Sequence, residues 1–254
     1  MIEVFDRQLE LPALPALISA LSTAQTNRPF ANAAIALDAS AVLRIPGHKK
    51  SVGIIDYLNA QHQGPIILPG QVVQEFWNNQ LNVIDTISKS LQKNFEAFMK
   101  DVERAGSETD PALISLKAGL DDFKDRNGAL FHPDMIRRTE QFLEGLKSTA
   151  EVPFAPRQAL HQSAEHRKKA KTPPGFKDPG DGDFYVWADL LFGLLKLKAN
   201  RRNFDRLILI TNDAKLDWCR EGKPHPVLFA EARALLEVDF DIWTLDKFAN
   251  GVAA

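Results

Sequence analysis

Three short apolar runs constrain this 254-residue chain more than any other feature. They are AIALD at 34–38, PIILPG at 65–70 and RLILITND at 206–213. Each has an apolar centre that stops abruptly, at Asp38, at Pro69-Gly70 or at Thr211-Asn212-Asp213. Such runs read as strands buried on both faces, the pattern of a parallel sheet. VDFDIWTL at 238–245 reads as a fourth strand. Helical segments lie between them: SVGIIDYLNAQHQ at 51–63, closed by Gly64, then FYVWADLLFGLLKLK after the loop at 172–183, and HPVLFAEARALLEV after the third run. Strand and helix alternate, which predicts a three-layer α/β/α fold around a mostly parallel sheet.

Two regions depart from that alternation. LPALPALISALSTA at 11–24 sets Leu14, Leu17, Ile18 and Leu21 on one helical face, expected to pack on the body. From 71 to 180 the apolar period is three to four residues, through Ile84, Ile87, Leu91, Phe95, Phe98 and Val102, and again around Leu113–Phe123 and Ile136–Leu146. No strand is predicted there. The expectation is one domain over 1–254, with a helical insertion at 81–171 and a helix carrying Glu75 in its early turns.

Composition narrows the class. The chain is 44% hydrophobic and 25% charged, as in ordinary globular proteins. One cysteine, Cys219, excludes an internal disulfide framework. No apolar run approaches the ~18 residues of a membrane helix, and MIEVFDRQLE lacks the pattern of a secretory signal, so a cytoplasmic protein without membrane contact is expected. The net charge of −2 carries no global nucleic-acid signature, so a polyanionic partner needs a local basic surface.

The chemistry lies with the acids. In open parallel sheets, sites form beyond the carboxyl ends of the strands. Asp38 and Asp213 end two strands, Glu75 rides the helix after another, and Asp181 and Asp183 stand where a Pro/Gly-rich loop becomes a helix; Asp217 follows shortly after. Taken singly, Asp38, Asp183 and Asp213 read equally as helix caps, Glu75 as a helix-start residue, Asp181 as a turn residue and Asp217 as a partner of Lys215 or Arg220. Taken together they are harder to explain. Two like charges ~4 Å apart cost about 4 kcal/mol at an effective dielectric of ~20, so such a group needs a cation. Clustered carboxylates suit Mg2+ or Mn2+, ions that neutralise a phosphodiester and activate water. Competing motifs are missing: there is no P-loop, no G-x-G-x-x-G after a strand, no G-x-S-x-G elbow, no calcium-loop spacing in DPGDGDF, and no H-x-x-x-H pair among the six histidines.

Four stretches, LDASAVL at 37–43, ILPGQVVQEFWNN at 67–79, TPPGFKDPGDGDFYVW at 172–187 and ITNDAKLDW at 210–218, together resemble the PIN-like domain family of metal-dependent nucleases, in the larger variety with a helical insertion. The resemblance spans about residues 35–248. It implies a hydrolase, an endoribonuclease of single-stranded RNA with DNA left open, that uses Mg2+ or Mn2+. It implies catalytic, metal-binding roles for Asp38, Glu75, Asp183 and Asp213, with Asp217 as a frequent further acid. Asp181 is an extra ligand, or the third acid if the register shifts by two. Ser40, Thr211 and Asn212 become candidates to orient ligands or touch phosphate, and read otherwise as strand-end hydrogen bonding. Gln80 departs from the arginine common at that point of the family. A regulatory protein partner and a homo-oligomer stay open.

The local basic surface is expected at 164–177, from Arg167, Lys168, Lys169, Lys171 and Lys177, which read otherwise as a solvated helix end. Trp77, Trp187, Trp218 and Trp243 sit in apolar segments and are expected to pack rather than stack on bases. Two other readings stand beside the nuclease: a non-catalytic nucleic-acid or protein-binding module on the same fold, and a metal-dependent phosphatase of small esters.

Overall fold

In the computed structural model, the described residues are all except 7–10, 23–29, 106–109, 127–134, 178, 213–214 and 254. The chain opens with α1 (Ile2–Phe5) and α2 (Ala13–Ser22), then β1 (Ala34–Leu37), the single-turn α3 (Ala39–Val42), a 3-10 turn (Ile45–Gly47) and α4 (Ser51–Asp56), which widens into a π turn (Tyr57–Gln61). Next come β2 (Ile66–Ile67) and α5 (Gly70–Ala105). They are followed by α6 (Pro111–Arg126), α7 (Met135–Thr149), β3 (Ala150–Glu151), α8 (Arg157–Lys169) and α9 (Gly182–Ala199). The last elements are β4 (Arg206–Ile210), a hairpin of β5 (Cys219–Arg220) and β6 (Lys223–Pro224), α10 (Pro226–Leu236), β7 (Asp239–Trp243) and α11 (Leu245–Val252).

The five-stranded sheet runs β3-β2-β1-β4-β7, every pair parallel. Its two central strands are wholly buried, as strands covered on both faces must be. Helices α5, α9 and α10 pack together on one face, while α4 with its π turn, α7 and α11 form the opposite layer. This is the expected three-layer arrangement. β1 lies between β2 and β4, and the strand order reverses across it, so the crossovers leave in opposite directions. In such sheets the diverging connections open a crevice beyond the carboxyl ends of the central strands.

Three expectations change. A strand does occur between 71 and 180: β3 pairs Ala150 with Ile66 and Glu151 with Ile67. Two residues carry no periodicity, so only the partner strand identifies them. On α2 it is Ala16 that is buried against the body; Leu14, Leu17, Ile18 and Leu21 are exposed. The small side lets the helix approach α10 closely. Of the four tryptophans, Trp187, Trp218 and Trp243 are buried as expected, but Trp77 is 72% exposed. At the end of the hairpin Glu221 and Gly222 both adopt positive φ, 52° and 75°, as a two-residue type I′ turn requires. Among the described residues no helix is long and apolar enough to cross a membrane.

Candidate functional site

The crevice at the strand reversal is a cavity of about 380 Å³. It is lined by Asp38, Ala39, Ser40, Leu43, Arg44, Glu75, Asp183, Asn212, Lys215 and Trp218. Three of the predicted acids therefore line it. Each arrives on its own element: Asp38 just past β1, Glu75 in the second turn of α5, Asp183 in the first turn of α9.

Asp38 holds the N-cap position of α3 but makes no side-chain cap. Its Oδ2 instead accepts the hydroxyls of Ser40 and Thr211, both at 2.7 Å. The backbone explains the pairing: β1 and β4 run side by side with Leu37 level with Ile210, so the residues that follow each strand face one another. Asp38 N–H donates to Ile210 O, and Asn212 N–H donates to Ser40 Oγ at 3.0 Å. Asn212 Oδ1 accepts Leu245 N–H at 3.1 Å, tying the same corner to α11. Ser40, Thr211 and Asn212 thus form one network around Asp38, and both hydroxyl bonds fall on a single carboxylate oxygen.

Glu75 is set by the start of its helix. Gln71 Nε2–H donates to Glu75 Oε1 at 3.2 Å, one turn away. The Gln71 backbone N–H, an orphan donor of the first turn, is satisfied by Asp189 Oδ2 at 2.8 Å. Asp189 is fully buried and also binds Arg157 through a two-point fork and Ala155 N–H. Its acid was hidden in an apolar helix; a lone carboxylate among leucines was the available signal that it must have a partner. Across the cavity, Gly182 lets α9 approach α5: a Cβ there would lie 2.7 Å from Glu75 Oε1.

Asp183 Oδ2 accepts Trp218 Nε1–H at 3.1 Å and pairs with Lys215 Nζ at 3.3 Å. Behind it, Gly175 sits at φ +87°, and a Cβ there would lie 3.2 Å from the Asp183 Cβ. Asp181, the N-cap residue of α9, lies outside the lining and pairs with Lys168 at 3.6 Å. Asp213 lies outside the described residues, and so does the side chain of Gln80.

Two expected contacts are corrected. Asp217 has no exposed surface and does not line the cavity; its Oδ2 accepts Gly175 N–H at 3.0 Å, and its buried Oδ1 has no hydrogen-bond partner among the described residues. It anchors the loop beside Asp183, because Trp218 fills the position toward the cavity. Arg167, expected on the substrate surface, is 2% exposed and forms a fork with fully buried Glu231, with N···O distances of 2.7 and 3.2 Å. It also donates to Pro173 O. The reason is the packing of α8 on α10 through a buried acid. Lys168 is turned onto the carbonyls of Pro179 and Gly180. Lys169, Lys171 and Lys177 are exposed but line no part of the cavity. Its cations are Arg44 and Lys215, neither of which carried a recognisable motif.

The donor set is all oxygen, which suits a hard divalent ion rather than zinc. Among the described residues, however, no group of three or more His, Cys, Asp or Glu side chains is close enough to hold a metal ion. The fit is thus one of donor chemistry. No curated protein and no solved structure matches the chain. A family model described as a PIN like domain matches residues 34–231, from the first strand of the sheet to the helix bearing Glu231. With that match over well over half of its length, the chain belongs to the PIN-like domain family, whose members are generally nucleases.

Proposed function

We propose that this protein is a divalent-metal-dependent endoribonuclease that hydrolyses phosphodiester bonds of single-stranded RNA. One observation carries the reading: Asp38, Glu75 and Asp183, from three distant stretches of chain, line one cavity at the strand reversal. These three, with Asp213, are the residues that would hold Mg2+ or Mn2+. Such an ion supplies charge neutralisation of the phosphodiester and a water of lowered pKa.

The remaining chemistry belongs to the chain. Ser40 and Thr211 fix the orientation of Asp38 by donating to one of its oxygens. Gln71 does the same for Glu75, and Trp218 for Asp183. Lys215 lowers the repulsion among the acids and presents an ammonium group at the cavity wall. Leu43 and Trp218 give that wall apolar surface, which limits the water reaching it.

The test is cleavage of single-stranded RNA, single-stranded DNA and a chromogenic phosphate monoester with magnesium or manganese. Asp38→Asn and Asp183→Asn should each lower RNA cleavage by more than about a hundredfold at unchanged melting temperature. Full-rate cleavage by both folded variants removes this site from the reaction. Hydrolysis of the monoester alone would make the protein a phosphatase. A second reading, a binding module without catalysis, draws on the absence of a tight three-donor group among the described residues. A calorimetric manganese titration that detects no binding would favour it.

A further inference from the structure

We propose that Arg44, Lys49 and Lys50 form a phosphate-binding track that leads single-stranded nucleic acid into the cavity. The proposal rests on the reading of that cavity as a phosphodiesterase site. Arg44 is on the cavity wall with the three acids, yet its side chain is exposed and has no ion pair among the described residues. Its planar fork matches a phosphate at two points, which an ammonium cannot do. The backbone holds it in place. Leu43 and Ile45 on either side are buried, and Arg44 N–H closes α3 on Ala41 O, so the side chain is the part that faces outward.

Lys49 and Lys50 follow the 3-10 turn. His48 Nδ1 accepts Lys50 N–H at 3.1 Å, so its Nε2 carries the proton and donates to Asp246 Oδ1, also at 3.1 Å. Asp246 lies in the first turn of α11, and Leu245, which opens that helix, gives its N–H to Asn212 on the cavity wall. Two hydrogen bonds, joined by the backbone of α11, therefore tie the lysine-bearing turn to the cavity. Lys49 is exposed, and Lys50 Nζ bonds the neutral amide of Asn250 at 2.9 Å rather than a carboxylate. Asp246 bonds the His48 imidazole and also feels the charges of Lys49 and Lys50, and Asp56 shares a surface hollow with both lysines, so a phosphate competes with these two carboxylates. The segment 164–177 offers no equivalent, since Arg167 is buried in its pair with Glu231 and Lys168 is held by carbonyls.

The experiment is fluorescence anisotropy of labelled single-stranded RNA and DNA of one sequence. It uses the full Asp38→Asn chain with magnesium, across a range of KCl. Adding Arg44→Ala, Lys49→Ala and Lys50→Ala together should weaken binding at least about tenfold and lower the slope of log affinity against log salt by roughly 2, near 0.7 for each phosphate no longer neutralised. Lys169→Ala, Lys171→Ala and Lys177→Ala together should stay within about twofold of the parent. Arg44→Lys should fall between, keeping charge and losing the fork. The proposal is overturned if the first triple leaves affinity and slope unchanged, or if the parent binds neither oligonucleotide. A wild-type chain that never cleaves, while the first triple still loses affinity, overturns the nuclease reading and leaves the track. A chain whose RNA cleavage keeps its KM in that triple overturns the track and leaves the nuclease.

Discussion

Replacing Arg167 by leucine separates a structural anchor from a substrate contact. The guanidinium meets the Glu231 carboxylate at 2.7 and 3.2 Å, and neither side chain is more than 2% exposed. Removing one partner of a buried pair leaves an uncompensated charge and costs about 3–5 kcal/mol. Glu231 would keep the Trp187 indole at 2.8 Å but lose its counter-ion. For a chain of this size a urea slope of roughly 3 kcal/mol/M turns ~4 kcal/mol into a midpoint shift of roughly 1.3 M. Adding Glu231→Leu should recover part of that loss. It removes the stranded charge, but the Trp187 N–H and Pro173 carbonyl lose partners at about 1–3 kcal/mol each. The double variant should therefore be more stable than the sum of the two singles by about 3 kcal/mol. Urea unfolding followed by far-UV circular dichroism measures all four corners of this cycle. If Arg167→Leu moves the midpoint by less than about 0.3 M and instead raises KM for RNA, the anchor role is wrong and the arginine belongs to the substrate surface.

Two further outcomes follow from the geometry. Gly182→Ala places a Cβ 2.7 Å from Glu75 Oε1; manganese affinity by calorimetry should drop at least about tenfold, roughly 1.4 kcal/mol, with an unchanged melting temperature, and an unchanged affinity would mean that Glu75 holds no ion. His62 donates from Nε2 to Ala33 O and accepts the Tyr57 hydroxyl at Nδ1, and burial pushes its pKa down to about 4. Its folded pKa lies below the unfolded value of ~6.5, so the unfolded chain takes up the proton first. The stabilisation is complete above about pH 6.5 and falls, by something on the order of 3 kcal/mol, as pH drops towards 4. His62→Gln should narrow the gap between urea midpoints at about pH 7 and about pH 4.5; an equal gap in both proteins would show that other groups set it.

Local sequence determined four of the five strands of the sheet and where they end. Apolar runs such as RLILI at 206–210 cannot face water, and a buried parallel strand exposes its next residues at the carboxyl edge. That edge is where Asp38, Thr211 and Asn212 lie. Glu75 and Asp183 were legible because each lies in the first two turns of a helix that begins at a glycine, Gly70 or Gly182, and such starts point to the same edge. What the tertiary structure decided is the fate of charges whose partners are far away in sequence. Arg167 pairs with Glu231 sixty-four residues on, and Asp217 turns from the cavity to Gly175, forty-two residues back. No local pattern distinguishes these from the solvated Lys169 or the cavity's Asp183. The same holds for β3, whose two residues become a strand only beside Ile66 and Ile67, and for Arg44, an ordinary arginine until the crossover from β1 sets it above three acids. Burial period is a property of a segment, whereas charge pairing is a property of the assembled fold; the acids could be read from the first, and their cations only from the second.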